Sequence, residues 1–296
     1  MLGMHRSGTS AMMRMLGELG IPSCIQADLI PGLAGNPRGH YESATLLRIN
    51  SELIESVGRT WWCPPEIGTL VPGDDADAKA RARDAFMSVH PTLRWACKDP
   101  RSCVTMPFWF AVLDDPPPII VAISRNPLEV AASLHKRDHF SKRLGLAMWE
   151  RYARSMLTYM DGQRVFLTDY DDLVTQPAQW CENAVAFFHS LGIPLEVESL
   201  TALTQTLEPG LRHSRYGVED LVNDPDVSEN QVAIYNALRA SAGAAAAFQS
   251  PRLPEEDPGV EKRFRRTLRI DRRAARRLEL LVWRRMRRTS SAPKSE

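Results

Sequence analysis

No run in this chain approaches the roughly 18 apolar residues that a membrane-spanning helix needs. Its N-terminus also lacks the charged stretch followed by an apolar one that marks an export signal. A bilayer anchor and secretion are therefore not read from the sequence, and the cytoplasm is the expected compartment. Cysteine is sparse. Cys24, Cys63, Cys97, Cys103 and Cys181 form an odd, scattered set without a C-x-x-C pair, which argues against a disulfide framework or a zinc cage. His135 and His139 have the four-residue spacing of two ligands on one helix face, but no carboxylate or cysteine nearby completes a metal site. No metal is expected.

Net charge is nearly absent as well, at +1 over 296 residues, but it is unevenly spread. Residues 262–288 hold thirteen Lys or Arg against Asp271 and Glu279, a local excess of eleven, so the remainder is acidic by ten. Within that basic segment Phe264, Leu268, Ala275, Leu278 and Val282 recur at steps of three, four and seven, the stripe of an amphipathic helix. The simplest reading packs this helix on the acidic body; peripheral contact with an anionic membrane or a polyanion is the alternative. Nucleic acid is not an expected partner. The chain divides into a main domain, 1–250, and a linker with a basic C-terminal helix, 251–296.

Apolar content of 44% and charged content of 25% are those of an ordinary globular protein. Along the chain, helical spacing and its stop signals alternate with short apolar runs. Met12, Met15, Leu16 and Leu19 form one helix face, ended by Gly20 and Pro22. "SATLLRINSELIESVG" reads as a helix capped by Ser43, with Asn50 the polar member of its apolar set. "GDDADAKARARDAF" reads as a surface connection running into a helix. Leu93–Cys97 and Ile119–Ile123 read as buried strands. Pro127 opens the next helix, and "KRLGLAMWERYARSMLTYM" is a longer one. "RVFLTDYDDLV" supplies another strand, and "AQWCENAVAFFHSLGIP" a last helix. "SAGAAAAFQSPRLPEEDPG" reads as a helix end and linker. The alternation predicts an α/β fold, a parallel sheet with helices on both faces.

Residues 3–10, "GMHRSGTS", differ by one residue from the phosphate-binding pattern G-x-x-x-x-G-K-[ST], with Thr9 in the lysine position. A loop that opens a helix offers unpaired N–H groups and the positive end of the dipole, an anion site before side chains are counted. Gly8 permits close approach, Ser7, Thr9 and Ser10 add hydroxyls, and Arg6 adds a cation. A nucleoside triphosphatase would need the missing lysine and a magnesium-holding acid after a second strand. The Ile119 strand ends instead in Ser124 and Arg125, a basic end suited to a second phosphate. Only Met1 and Leu2 precede Gly3, so the strand feeding the loop is short or begins elsewhere.

"GMHRSGTS", "KDPR" at 98–101 and "RNPLEVAAS" at 125–133 together resemble the sulfotransferases that use 3′-phosphoadenosine 5′-phosphosulfate (PAPS). The resemblance spans roughly residues 1–215 and is nearest to bacterial branches with H-R-S-G-T-S loops. It implies a P-loop-like three-layer sandwich. In that family the first loop holds the 5′-phosphosulfate, and Arg125 and Ser133 match the residues that hold the 3′-phosphate. Arg6 stands where cytosolic relatives carry a loop lysine, and Lys98 resembles a second lysine near the bridging oxygen. "GLRHSR" at 210–215 resembles a late nucleotide-closing segment through Arg212 or Arg215. The resemblance also places a catalytic glutamate in "NPRGHYES", where Glu42 is the candidate base and His40 the rival with the better unperturbed pKa. Trp61, Trp62 and Tyr41 are candidate walls of an acceptor pocket for a glycan or small molecule. A P-loop kinase and a polyanion-binding module are the competing readings.

Overall fold

A computed structural model describes residues 1–30, 41–70, 73, 75–90, 94–195 and 215–270. Two compact units are present, Met1–Glu255 and Glu256–Glu296. In the first, the loop at 3–8 opens α1 (Thr9–Glu18), followed by α2 (Ala44–Ser56), α3 (Ala76–Val89) and α4 (Ser102–Val112). Then come β1 (Ile120–Ser124), α5 (Pro127–Asp138), α6 (Lys142–Met160) and β2 (Val165–Asp169). The unit closes with α7 (Tyr170–Thr175), α8 (Pro177–Ser190), α9 (Val218–Asn223), α10 (Glu229–Ala240) and β3 (Gly243–Ala245). In the second unit, residues 258–270 form α11, on which Lys262, Arg265, Arg266 and Arg269 are exposed. Residues 271–288, the rest of the basic segment, lie outside the described residues. No helix among the described residues is long and apolar enough to cross a membrane.

β1 and β2 pair in parallel, Ile120 opposite Val165 through Ser124 opposite Asp169. Every residue of both strands is buried, so both faces of this pair are covered. That explains the continuous apolar run at Ile120–Ile123, because a strand wet on one face would alternate. On one face Val121, Ile123 and Phe166 pack against Met12, Met15, Leu16 and Leu19 of α1 and Trp180, Ala184 and Phe187 of α8. Each such large side chain contributes about 1.5–3 kcal/mol. The α1 face is the one its sequence spacing predicts.

Two expectations are corrected. The sheet is mixed rather than purely parallel, because β3 pairs antiparallel with β2. β3 lies in the stretch whose alanines read as a helix end and linker. The free edge of β2 overrides alanine's helix preference there, and Gly162 and Gln163 continue the pairing with Phe248. The second correction concerns Leu93–Cys97. Leu93 lies outside the described residues, and residues 94–97 form no strand. Their backbone is held by Ala96 N–H on the Pro22 carbonyl (2.8 Å) and by the Met1 amino group on the Cys97 carbonyl (2.8 Å), too few bonds for a ladder.

Candidate active site

The loop at 3–8 connects Leu2, which bridges Ala122 of β1 in parallel, to α1. Gly8 has φ +92°, and a Cβ there would lie 2.2 Å from the Tyr170 ring, so only glycine fits. Arg6 also adopts a left-handed conformation, φ 69°, costly for a residue with a side chain. No side chain caps α1 at Gly8, which leaves its first N–H groups to an anion. Ser7 and Thr9 are buried, whereas Ser10 is partly open.

Two groups of charged residues converge on this loop. In the first, Lys98 Nζ lies 2.6 Å from Glu42 Oε1 and donates to Ser10 Oγ at 3.2 Å. The Lys98 side chain is 3% exposed and that of Glu42 12%. Burial pulls the Lys98 pKa below its ordinary value, and the Glu42 carboxylate works in the other direction. Glu42 is positioned because Ser43 caps α2, accepting from Leu46 N–H and donating to Asp28. His40 lies outside the described residues.

In the second group, Arg125 follows β1 directly. Its Nε donates to Glu129 Oε2 at 2.7 Å, its Nη1 to the Arg6 carbonyl at 3.0 Å, and its guanidinium lies 4.2 Å from the Tyr170 ring centre. Arg6 Nε donates to Ser133 Oγ at 2.8 Å. The loop that the resemblance assigns to the 5′-phosphosulfate and the segment it assigns to the 3′-phosphate are therefore hydrogen-bonded to each other. Tyr216 N–H donates to Glu129 Oε1 at 3.1 Å, and Asn126 Nδ2 to the Tyr216 carbonyl at 2.9 Å. These bonds bring the chain just after the exposed Arg215 to the Arg125 site. Arg212 lies outside the described residues.

Sequence reasoning missed the supports of these groups. Asn50 Nδ2 donates to Asp99 and Ser102, while its Oδ1 accepts from Thr105 and the Trp109 indole. Asp99 in turn accepts from the Arg101 guanidinium at 3.1 Å. Asp99, a member of this network, directly follows Lys98 in the chain. His5 packs on Trp61 at 4.5 Å between ring centres, and Trp61 meets Trp62 and Phe140. Burial, aided by Arg101, Arg137, Lys98 and Arg6, holds the His5 pKa well below the usual imidazole range. The imidazole is therefore neutral. A clue was available for Asn50, a lone polar residue on an apolar helix face, but none for His5, hidden within the loop pattern.

His135 and His139 do not share a face. The His135 ring nitrogen meets the Phe140 carbonyl at 2.8 Å, and His139 ends α5 in a left-handed conformation. No cluster of His, Cys, Asp and Glu among the described residues could hold a metal ion. An acid does end β2. Asp169 accepts from Asp171 N–H as the cap of α7 and from Ser124 Oγ, and burial raises its pKa to about 6.

A model of the sulfotransferase family matches residues 1–196. No curated protein and no solved structure matches the chain significantly.

Proposed function

The chain belongs to the sulfotransferase family, and on that premise we propose that it moves a sulfuryl group from PAPS to an acceptor hydroxyl on a carbohydrate or small metabolite. The observation that carries this reading is the Lys98–Glu42 pair, 2.6 Å apart and in contact with Ser10 at the start of α1. Sulfuryl transfer needs a base for the acceptor proton and a cation for the leaving phosphate, side by side at an anion-binding loop. The acceptor oxygen attacks sulfur as the bond from sulfur to the 5′-phosphate oxygen breaks. The acceptor proton passes to the Glu42 carboxylate. Lys98 and the loop N–H groups take up the charge growing on the 5′-phosphate. Arg125 and Ser133 hold the 3′-phosphate, Arg6 joins Lys98 in answering the charge on the 5′-phosphate, and Arg212 or Arg215 closes over the nucleotide. Trp61, Trp62 and Tyr41 line the acceptor side. The same reading extends the mixed α/β architecture to a P-loop-like three-layer sandwich in the cytoplasm. It gives residues 262–288 no part in the transfer.

Phosphoryl transfer from ATP is the competing reading, because Asp169 ends β2 where a magnesium-holding acid is required. Its two oxygens accept from Asp171 N–H and Ser124 Oγ, which makes it the cap of α7 and a partner of the end of β1. Turnover with PAPS in EDTA decides between the two. Unchanged turnover is expected; its loss in EDTA and return with Mg²⁺ would favour the kinase.

Nucleotide selectivity is expected to reside in Arg125. A charge-assisted hydrogen bond contributes roughly 1.5–3 kcal/mol, so Arg125→Ala should weaken binding of 3′-phosphoadenosine 5′-phosphate (PAP) about tenfold or more. Calorimetry finding equal affinities of the parent protein for PAP and AMP would overturn the assignment.

A further inference from the structure

The Arg125 guanidinium is aimed before any ligand arrives. Its backbone carbonyl accepts from the Trp149 indole at 3.0 Å, its Nε donates to Glu129 Oε2, its Nη1 donates to the Arg6 carbonyl, and its plane is held against Tyr170. Among the described residues its Nη2 makes no hydrogen bond, so that arm of the fork is left for a ligand. Glu129, which does the aiming, is 1% exposed. Its carboxylate is therefore met by protein donors rather than bulk water, Arg125 on one oxygen and the Tyr216 N–H on the other.

At the Tyr216 end the link is made by backbone groups. The Tyr216 N–H meets Glu129 at 3.1 Å, and the Tyr216 carbonyl accepts from Asn126 Nδ2 at 2.9 Å, which also reaches the Gly217 carbonyl at 3.3 Å. Asn126 is itself fixed, because its Oδ1 accepts from Leu128 N–H as the cap of α5. Asn126 and Glu129 lie one turn apart at the start of α5 and grip the same two residues of chain. The Tyr216 side chain, 37% exposed, takes no part in these bonds. A buried carboxylate thus stands between a cation that faces the ligand and a surface segment next to the exposed Arg215.

We propose that Glu129 is a positioning residue that links the charge bound at Arg125 to the backbone at Tyr216. A hydrogen bond to a carboxylate strengthens with the charge that the carboxylate is left to carry. A phosphate seated on Arg125 draws the guanidinium charge toward itself, and the buried carboxylate turns to its other donor, the Tyr216 N–H. The chain beside Arg215 is then held more tightly by a nucleotide with a 3′-phosphate than by one without it. The effect is reciprocal by linkage: the factor by which the 3′-phosphate strengthens the Tyr216 bond is the factor by which that bond raises affinity for the 3′-phosphate. The proposal rests on the reading of Arg125 as the 3′-phosphate site.

The test uses the full chain with PAP and AMP, which differ only in the 3′-phosphate. Hydrogen exchange at the Tyr216 amide is expected to be about tenfold slower with saturating PAP than with saturating AMP, a coupling toward the low end of the usual range. Glu129→Gln removes the carboxylate charge, so in that variant the two nucleotides should give equal exchange at Tyr216. Tyr216→Pro removes the N–H and keeps the buried Arg125–Glu129 pair, so it carries the test even where Glu129→Gln fails to fold. Its ratio of PAP to AMP affinity, read by calorimetry, should fall by about the same tenfold. A Glu129 that only supports the fold would change the two affinities alike and leave their ratio where it was. Equal protection of Tyr216 by the two nucleotides in the parent, or parent selectivity in Tyr216→Pro, would overturn the proposal. Equal affinity of the parent for PAP and AMP would instead remove the 3′-phosphate reading of Arg125, and the proposal with it.

Discussion

Glu42→Gln is expected to lower kcat by about 10²–10⁴-fold, the usual contribution of a positioned general base, and to leave PAP affinity nearly unchanged. The amide keeps the shape of the carboxylate and removes the proton acceptor. Glu42 sits between the start of α2 and Lys98, so the substitution leaves the Ser43 cap in place. It also removes the counter-charge of Lys98. A split in which kcat falls and the KM for PAPS does not would separate a base from a residue that only positions the donor. His40→Asn is the control. Loss of turnover in His40→Asn with activity retained in Glu42→Gln would give the role to the histidine.

Lys98→Met is expected to lower kcat by about 10²–10³-fold, the cost of removing one preorganised donor from a developing anion. It should also destabilise the fold, because the nearly buried Glu42 loses its counter-charge. Breaking a buried pair from one side costs about 3–5 kcal/mol. The two effects are separable. The double variant Lys98→Met with Glu42→Gln removes both charges, so its stability should recover while its turnover stays low. Because the double variant also lacks the base, the role of Lys98 is read from the single variant: turnover of folded Lys98→Met equal to that of the parent would make Lys98 structural only. The pH profile gives a second reading. Lys98 acts as an ammonium, so its contribution is present below its folded pKa and lost as pH rises through it. Burial has pulled that pKa below the ordinary lysine value, so the alkaline limb should begin earlier than for an exposed lysine. In Lys98→Arg that limb should disappear, since guanidinium stays charged.

What the sequence made legible was whatever repeats locally. The Ser43 cap, the apolar face of α1 and the Pro127 start of α5 each follow from neighbours within about one helical turn. The loop at 3–8 was legible as the opening of a helix from its glycines and hydroxyls, and Arg125 as the end of β1 from the apolar run before it. α4 was not, because its side chains are apolar all round and Pro107 reads as a breaker. β3 was hidden because a three-residue edge strand is stabilised by its neighbour rather than by its own sequence. In the site, the hydrogen bond from Arg6 to Ser133 joins residues 127 positions apart, and Glu129 reads as an ordinary first-turn acid until Arg125 and Tyr216 are seen on its two oxygens. Side-chain partners of that kind are decided by the folded chain alone.

The amide of Asn50 spends both donors and both lone pairs on four neighbours, Asp99, Ser102, Thr105 and Trp109. Because the hub is neutral, charge around the site is partitioned into separate couples: Asp99 answers Arg101, Glu129 answers Arg125, and Glu42 answers Lys98. An acid or a base at position 50 would have forced these couples to share. The couples still feel one another through space, Asp99 acting on Lys98 and Glu42 on Arg101, so opening the Glu42–Lys98 couple to receive substrate would be answered in the Asp99–Arg101 couple that Asn50 holds in place.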